Sequence, residues 1–289
     1  MQYIIRGKSF VFTTEIRDNT TLRKSFFSLA RQTFDLDFEP WYQCGGWQDR
    51  YLPHALVCGE QVAANVSVNR MDFQLDGRRR TYLQLGTVRG MGLSRFLMEW
   101  ILQNWSDRCD GIYLFANDTV LDFYPKFGFL PAEEAQVFFP SSPQQPIPLR
   151  RINPDNPKDR ALLIQSYRRS NPFSAFSMEN NEGLLLFYAL GPFRHFLYTP
   201  PEENAVAILE EDGDTLFCHE LLGEWSGSLF QTLNRLTQPH IRKIGLGFTP
   251  KDTLPGQIWQ PGEDHLFVLG KKENPFAARK LFFPLISHA

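Results

Sequence analysis

The chain of 289 residues carries 30 basic and 32 acidic side chains, so its formal net charge at pH 7 is only −2. A charge this close to zero argues against a nucleic-acid binder, which needs a basic face, and no apolar run of 18 residues predicts a membrane span. The hydrophobic fraction of 43%, with 26 phenylalanines, is enough for aromatic-rich cores, and the length predicts about two domains.

The amino terminus predicts the compartment. Residues 1–8 lack the long apolar core of a signal peptide, so we expect a cytoplasmic protein. The four cysteines show no paired spacing, which favours reduced structural thiols and no metal. The basic run Arg78-Arg79-Arg80 follows Asp76-Gly77 and is typical of a solvated hairpin turn, so neither a nucleic-acid nor a membrane partner is expected.

The first elements in chain order are a helix and three strands. Residues 20–34 form an amphipathic pattern, and an irregular stretch of aromatic and acidic residues follows to residue 42. Strands are predicted at 54–58, 61–70 and 81–88, with Asp76-Gly77 as the turn between the last two.

The strand at 81–88 runs directly into a basic, glycine-containing turn and a helix with Leu97 and Ile101 on its apolar face. Free amides and the dipole at a helix start favour an anion, glycines let it approach, and Arg89 adds charge. The segment predicts a diphosphate site, although an ordinary turn is the commoner meaning of such a short pattern. Its residues are Leu85, Gly86, Thr87, Val88, Arg89, Gly90, Met91, Gly92, Leu93 and Ser94.

A second motif follows the next predicted strand, residues 111–118. There Phe123-Tyr124 precedes Gly128-Phe129 at the end of a segment that starts at Thr119. Together with Arg89-x-x-Gly92-x-Ser94, this order and spacing resemble the GCN5-related N-acetyltransferase (GNAT) superfamily over roughly residues 1–140. Serine at position 94, where the family has glycine or alanine, is a small departure.

The resemblance implies an α/β (α+β) fold, in which a mixed, mainly antiparallel sheet is flanked by helices, and acetyl-CoA as cofactor. It implies that residues 85–94, Asn117 and Tyr124 bind the cofactor, with residues 119–129 forming the family's helix. Tyr124 would act as the catalytic acid that protonates the departing thiolate, unless it only packs with Phe123 and Phe127. Asn117 would contact the pantetheine arm or, equally, cap a helix.

One departure affects the cofactor turn. Relatives place a short segment containing proline between the strand and the pyrophosphate-binding arginine, whereas Val88 here is bonded directly to Arg89. Because βα connections usually take about two to six residues, direct fusion would strain the turn. The pattern therefore favours a chain from which loop residues are missing.

The acceptor is expected to be a primary amine, either of a small molecule or of a peptide or lysine. Many relatives carry glutamate where this chain has Gln84, which cannot take a proton, so the general base is unassigned. Candidate residues of the acceptor cleft are Asp35, Asp37, Glu39, Trp41, Trp47 and Gln84, with Asp49 nearby. The acids would attract a cationic amine, or they form a solvated face. His54 and His219 are as readily structural.

The second half follows a proline-rich linker at 141–157 that predicts a semi-rigid spacer. Residues 158–289 are predicted as a degenerate GNAT-like domain without a cofactor motif, because Glu224 stands where phosphates would need positive charge; an unrelated α+β cap is the alternative. The predicted helices and strands are 158–169, 179–190, 194–198, 204–210, 214–222, 226–236 and 241–248. The apolar residues 282–286 would bury between domains or join subunits of a homodimer.

Two functions fit this sequence. One is an acetyl-CoA-dependent N-acetyltransferase, favoured by Tyr124 and Asn117. The other is a non-catalytic sensor or scaffold that binds acyl-CoA, favoured by the fused Val88-Arg89 and by Gln84.

Overall fold

Two β-sheets organise the chain, and each takes strands from both halves of the sequence. The computed structural model describes residues 1–89, 92–201, 204–270 and 274–288. Elements of the first half are β1 Gln2–Ile5, β2 Lys8–Thr13, α1 Thr20–Phe34, α2 Glu39–Gln43, β3 Tyr51–Cys58, β4 Gln61–Leu75, β5 Arg78–Arg89, α3 Ser94–Trp105, β6 Gly111–Ala116, β7 Leu130–Ala132 and β8 Ala135–Pro140.

The second half continues with short strands and four helices within the described residues. Its elements are β9 Arg150–Arg151, α4 Pro157–Arg168, β10 Phe176–Glu179, α5 Glu182–Leu190, β11 Leu197–Thr199, β12 Ala205–Asp212, β13 Thr215–Gly223, α6 Leu229–Leu236, β14 Lys243–Leu246, β15 Ile258–Pro261, β16 His265–Gly270 and α7 Pro275–Ala278.

The first sheet has the order β1-β2-β3-β4-β5-β6-β16-β7, and β10 pairs with β4 outside that path. The second has the order β15-β8-β14-β13-β12-β11-β9. Among the strand pairs of the described residues, β5 with β6 and β13 with β14 are parallel and the others antiparallel. The fold is therefore mixed α/β with mainly antiparallel sheets flanked by helices, as predicted.

Local signals set the bounds of the first helix. The Asn19 side chain accepts a hydrogen bond from the Leu22 amide at 3.1 Å, and the helix ends at Asp35 in the left-handed region, with φ of 55°. Its buried face packs Phe26 and Ala30 against the sheet. The predicted helix 20–34 is confirmed.

The segment after β6 differs from its prediction. Residues 119–129 contain two short 3-10 turns, Asp118–Val120 and Tyr124–Phe127, and no α-helix. Pro125 lacks the N–H that a continuing helix would use, and Gly128 ends the second turn with φ of 87°. The helix implied by the family resemblance is therefore wrong here.

The sheets exchange strands across the middle of the chain. β16, from the second half, pairs with β6 over six residues from Ala116 to Gly111, while β8, from the first half, pairs with β14 and β15. Within the proline-rich stretch, Arg151 pairs with Tyr198 of β11. The domain limits at 140 and 157 stay predictions, and neither sheet is built from one side of them.

The C-terminal segment, residues 281–288, lies between the two halves. Phe283 is fully buried and stacks on Tyr113 of β6, with 4.2 Å between ring centroids. The Tyr113 hydroxyl donates to the Ser287 carbonyl at 3.0 Å, and the Leu285 amide donates to the Gly247 carbonyl at 2.9 Å. The apolar run 282–286 is thus part of the core shared by both halves.

Candidate functional site

The site is created where two parallel strands separate. β5 and β6 pair only from Tyr82 with Gly111 to Gln84 with Tyr113, and both strands then continue, to Arg89 and to Ala116. The gap leads into a cavity of about 1040 Å³. Its lining comprises Thr33, Phe34, Leu36, Leu85, Gly86, Thr87, Val88, Arg89, Ser94, Phe115, Asn117, Asp118, Thr119, Val120, Leu121, Asp122, Phe123, Tyr124 and Lys126.

A β-bulge interrupts β5 at the wall of this cavity. The ladder passes from Ser67 opposite Gly86 to Asn65 opposite Arg89, so Thr87 and Val88 together face a single residue of β4. Thr87 has a φ of 51°, its carbonyl accepts from the Asn65 side chain at 3.1 Å, and its hydroxyl lies 2.8 Å from that of Tyr51. A bulge turns backbone groups out of the ladder, so this wall can offer them to a ligand.

The connection between β5 and α3 has an ordinary length. Val88 and Arg89 both belong to β5, and residues 90–93 then lead to Ser94 at the start of α3. A separation of four residues falls within the usual range for such a connection, and the expectation that residues are missing stays a prediction. Gly90 and Met91 lie outside the described residues.

Basic side chains gather near this turn. Arg89 is exposed, and both Arg89 and Lys126 line the cavity. A Cβ placed on Gly92 would fall 2.6 Å from the Arg6 guanidinium, so Arg6, at the tip of the β1–β2 hairpin, rests against the turn. The sequence prediction missed Arg6, because the contact spans 86 positions. Leu93 packs against the apolar cluster that includes Leu97 of α3 and Leu114 of β6, and it does not line the cavity.

Tyr124 projects into the same cavity from the second 3-10 turn. Its side chain is buried, and its ring packs on Phe123, Phe129 and Phe267, with centroids 5.3, 6.2 and 5.7 Å away. Burial raises the pKa of Tyr124 to about 12. The hydroxyl makes no hydrogen bond with another described residue, so the protonated phenol is available to a ligand.

Asn117 has a local structural role beside the cavity. Its side-chain oxygen accepts from the amide and hydroxyl of Thr119, at 3.3 and 2.6 Å, and so caps the first 3-10 turn. The helix cap was one of the two predicted roles, and the contact to pantetheine stays a prediction.

A second, smaller chamber of about 230 Å³ adjoins the first cavity, and Leu36 and Thr87 line both. Its walls come from α2, β3–β5, α5 and the carboxyl end of the chain. The described lining is mostly apolar and consists of Leu36, Phe38, Trp41, Gly46, Gln48, Arg50, Tyr51, Asn69, Thr87, Asn181, Gly183, Leu184, Phe187, Tyr188, Pro192 and His288.

The predicted acids lie elsewhere. Asp35 is the exposed C-cap of α1, Asp37 pairs with Arg31 at 2.8 Å, and Glu39 accepts from Gln43 at 2.6 Å. Asp49 forms an ion pair of 2.8 Å with Arg17. None of these four acids lines the cavity or the chamber. Their positions match the second of the two predicted possibilities, a face exposed to solvent.

The other predicted acceptor residues divide between wall and support. Trp41 lines the chamber, and its indole donates to the Gly183 carbonyl at 2.6 Å, which closes α2 onto α5. Trp47 stacks behind Trp41, with 5.7 Å between centroids, and does not line the chamber. Gln84 is fully buried in β5 and reaches neither space.

The two histidines discussed above are held in the core. Burial lowers the pKa of His54 to about 4, its Nε2 accepts from the Trp105 indole at 3.1 Å, and its Nδ1 lies 2.9 Å from the Leu52 carbonyl. Burial also lowers the pKa of His219, which pairs with Glu210 at 2.8 Å.

Across the described residues, no three His, Cys, Asp or Glu side chains are grouped to hold a metal, and no helix is long and apolar enough to cross a membrane.

Solved structures share this architecture. No protein-family model and no curated protein matches the sequence. A probable N-acyltransferase from Enterococcus faecalis, a conserved protein of unknown function, aligns with 91% of this chain and 73% of its own length, at 15% identity and a TM-score of 0.58. Eis1 from Mycobacterium abscessus aligns with 90% and 73%, at 14% identity and a TM-score of 0.56.

A GCN5-related N-acetyltransferase from Kribbella flavida gives a similar result, covering 90% of this chain and 72% of its own, at 15% identity and a TM-score of 0.54. Identities this low speak for the fold alone. These structural likenesses show that the chain has the fold of the GCN5-related N-acetyltransferases.

Proposed function

We propose that this protein transfers an acetyl group from acetyl-CoA to a primary amine. The observation that carries the proposal is the meeting of two spaces at Thr87: a large cavity lined in part by Arg89 and Lys126, and a smaller, mostly apolar chamber. A transferase that joins two substrates directly needs such a shared wall, because reacting atoms must approach to about 3 Å.

The residues of the cavity fit acetyl-CoA. Arg89, Arg6 and Lys126 supply positive charge, and the start of α3 at Ser94 supplies unpaired amides for a diphosphate. The separated edges of β5 and β6 offer backbone groups to the amides of an extended arm. When bound, acetyl-CoA would supply an activated thioester.

The bulge would position the acyl carbonyl. Backbone amides freed at Thr87 and Val88 can donate to a developing oxyanion, and the contacts of Thr87 with Asn65 and Tyr51 hold that geometry in advance. Removing one such donor typically costs enzymes about 100- to 1,000-fold in rate.

Tyr124 would supply the proton for the sulfur. In balance, the amine nitrogen forms a bond to the acyl carbon and loses a proton, the carbon–sulfur bond breaks, and the sulfur takes the phenolic proton. The tyrosine is then reprotonated from the nitrogen through solvent. The raised pKa of Tyr124 keeps the phenol protonated at neutral pH. Burial in the same site would also raise the pKa of the coenzyme A thiol, so the thiolate remains a good proton acceptor.

Calorimetric titration with acetyl-CoA, followed by thiol release on a panel of amines, tests the proposal. We expect Tyr124→Phe to keep acetyl-CoA affinity within about three-fold and to lose about 100- to 10,000-fold in kcat, the usual contribution of a general acid. Tyr198→Phe, on β11 and outside both spaces, is the matched control and should leave both quantities unchanged.

Each other outcome rejects a stated part of the proposal. Absence of acetyl-CoA binding to the parent protein would rule out both the enzyme and an acyl-CoA sensor. Binding without turnover on any amine would favour the sensor or scaffold. Full turnover by Tyr124→Phe would remove that residue from the chemistry.

A further inference from the structure

The smaller chamber has the dimensions of a single ring. Its volume of about 230 Å³ is roughly one and a half times that of an apolar cavity known to hold benzene, about 150 Å³. That volume admits an aromatic ring or a branched alkyl group with a short arm. A molecule of several fused or linked rings, or a folded peptide segment, would exceed it.

The walls of the chamber are fixed before any ligand enters. Trp41 and Tyr51 meet edge to face, with 5.3 Å between centroids, and Phe187 contacts Trp41 at 5.9 Å. A Cβ on Gly183 would lie 2.5 Å from the Gly46 carbonyl oxygen, so the segment that follows α2 touches the start of α5 backbone to backbone. Opening this contact to admit a larger acceptor would disrupt tight packing.

The chamber lacks a counter-charge for a cation. Among its described lining residues, no carboxylate occurs, and Arg50 carries the permanent charge. The Arg50 guanidinium is already committed, 2.6 Å from Asp72 and 3.1 Å from the Arg70 carbonyl. An ammonium group would therefore lose its hydration without gaining a carboxylate to balance its charge, whereas a neutral amine loses far less.

Two hydroxyl groups lie close to the wall that the chamber shares with the larger cavity. The hydroxyls of Tyr51 and Thr87 lie there, 2.8 Å apart, at the wall common to both spaces. Either oxygen can accept a hydrogen bond from an amine N–H. The apolar body of a ligand thus points inward and its nitrogen points at the bulge.

From these features we infer that the chamber binds a compact apolar primary amine, with one ring or a branched alkyl group, in its uncharged form. Solvent receives the proton as the ammonium ion enters, so the site requires no carboxylate base where Gln84 stands. The inference rests on the proposed function for the fate of the amine, whereas its affinity and charge state are properties of the chamber alone.

The first test measures binding without acetyl-CoA, through the fluorescence of Trp41 and its neighbours. The affinity of 2-phenylethylamine should rise about ten-fold per pH unit between pH 7 and 9, because an alkylamine with a pKa near 10 gains neutral form at that rate. 2-Phenylethanol, of the same shape, should bind independently of pH. An amine affinity that does not change with pH, or spermine binding as tightly as 2-phenylethylamine, would overturn the inference.

The second test changes the size of the chamber in opposite directions. Leu184→Phe should weaken 2-phenylethylamine at least ten-fold, and Phe187→Ala should admit a two-ring amine that the parent protein excludes. Leu190→Phe, on the same helix but outside the lining, is the matched control. Acetyl-CoA affinity within two-fold in all three variants shows that they are folded.

The two proposals fail separately. A parent protein that binds 2-phenylethylamine in this pH-dependent way but not acetyl-CoA would reject the transferase and retain the chamber. Acetyl transfer to polycations with unchanged rates in Leu184→Phe would reject the chamber and retain the transferase.

Discussion

At the scale of single residues, burial decides which titratable groups make the stability of the fold depend on pH. Glu220 is fully buried in β13, where its carboxyl accepts hydrogen bonds from the Asn171 side chain and, at 3.2 Å, from the Leu221 amide. Desolvation outweighs these bonds and raises the pKa of Glu220 to about 7. The folded chain therefore holds a proton there that the unfolded chain releases from pH 4.5 upward.

The sign of the effect on stability follows. A raised pKa stabilises the fold fully below pH 4.5, and this contribution is lost as the pH rises through 7, by at most about 3 kcal/mol. Glu220→Gln keeps the acceptor oxygen and cannot ionise, so the variant should match the parent at pH 4.5 and exceed its free energy of unfolding at pH 8. Urea unfolding at both values measures the difference.

A control separates ionisation from packing in this experiment. Glu211→Gln, an exposed residue of the neighbouring strand β12, should leave the free energy of unfolding within about 0.5 kcal/mol at both pH values. An equal shift for Glu220→Gln at pH 4.5 and pH 8 would assign the effect to altered contacts instead.

At the scale of elements, the β1–β2 hairpin adds a cation to a turn far away in sequence. Arg6 has a φ of 51° at the hairpin tip and rests against Gly92. Arg6→Ala should weaken acetyl-CoA binding about five- to ten-fold, because one charge–phosphate contact is lost. Calorimetric titration at two salt concentrations measures the acetyl-CoA affinity. The affinity of Arg6→Ala should also depend less on salt than that of the parent protein, because one charged contact is gone.

Arg78→Ala is the matched control for this change, since Arg78 is an exposed arginine at the start of β5, at the β4–β5 hairpin. Unchanged acetyl-CoA affinity in Arg6→Ala would show that the hairpin touches the turn without contributing to the site.

Element predictions succeeded where the signal is local. The helix at 20–34 has a capping asparagine and a clear apolar face, and the strands at 204–210 and 214–222 flank an Asp-Gly turn; all three appear in the structure. The helix predicted after residue 118 is wrong, because the prediction followed the family resemblance and gave too little weight to Pro125, which interrupts helical hydrogen bonding. The predicted helix at 179–190 begins only at Glu182, since residues 176–179 pair with β4.

At the scale of the whole molecule, the exchanged strands join the two halves into a shared core. Phe283 stands at its centre, packed against Tyr113, Phe73 and Phe176, with centroids 4.2 to 5.4 Å away. Phe283→Ala should lower the free energy of unfolding by about 3–5 kcal/mol. These three partners belong to the first sheet, and the same core also contains Leu197, Val206 and Leu222 of the second sheet. Because both sheets share this core, circular dichroism and tryptophan fluorescence should report one common transition.

Leu130→Ala is the comparison for this variant, because Leu130 is 64% exposed and its removal should cost less than about 0.5 kcal/mol. Two separate unfolding transitions in the parent protein would instead support the division into independent domains at residues 140 and 157.

The sequence by itself determined the candidate cofactor segment. The strand, basic turn and helix form one local pattern, and the family resemblance adds Asn117 and Tyr124 to it. The residues of this prediction that line one cavity are Leu85, Gly86, Thr87, Val88, Arg89, Ser94, Asn117 and Tyr124. The tertiary structure decided which residues form the candidate acceptor chamber. Its chamber joins Trp41, Tyr51 and Phe187 through contacts that span more than 130 positions, while Asp35, Asp37 and Glu39 turn to solvent. A local pattern carries no record of such contacts, because side chains this far apart in sequence meet only through the packing of α2 against α5.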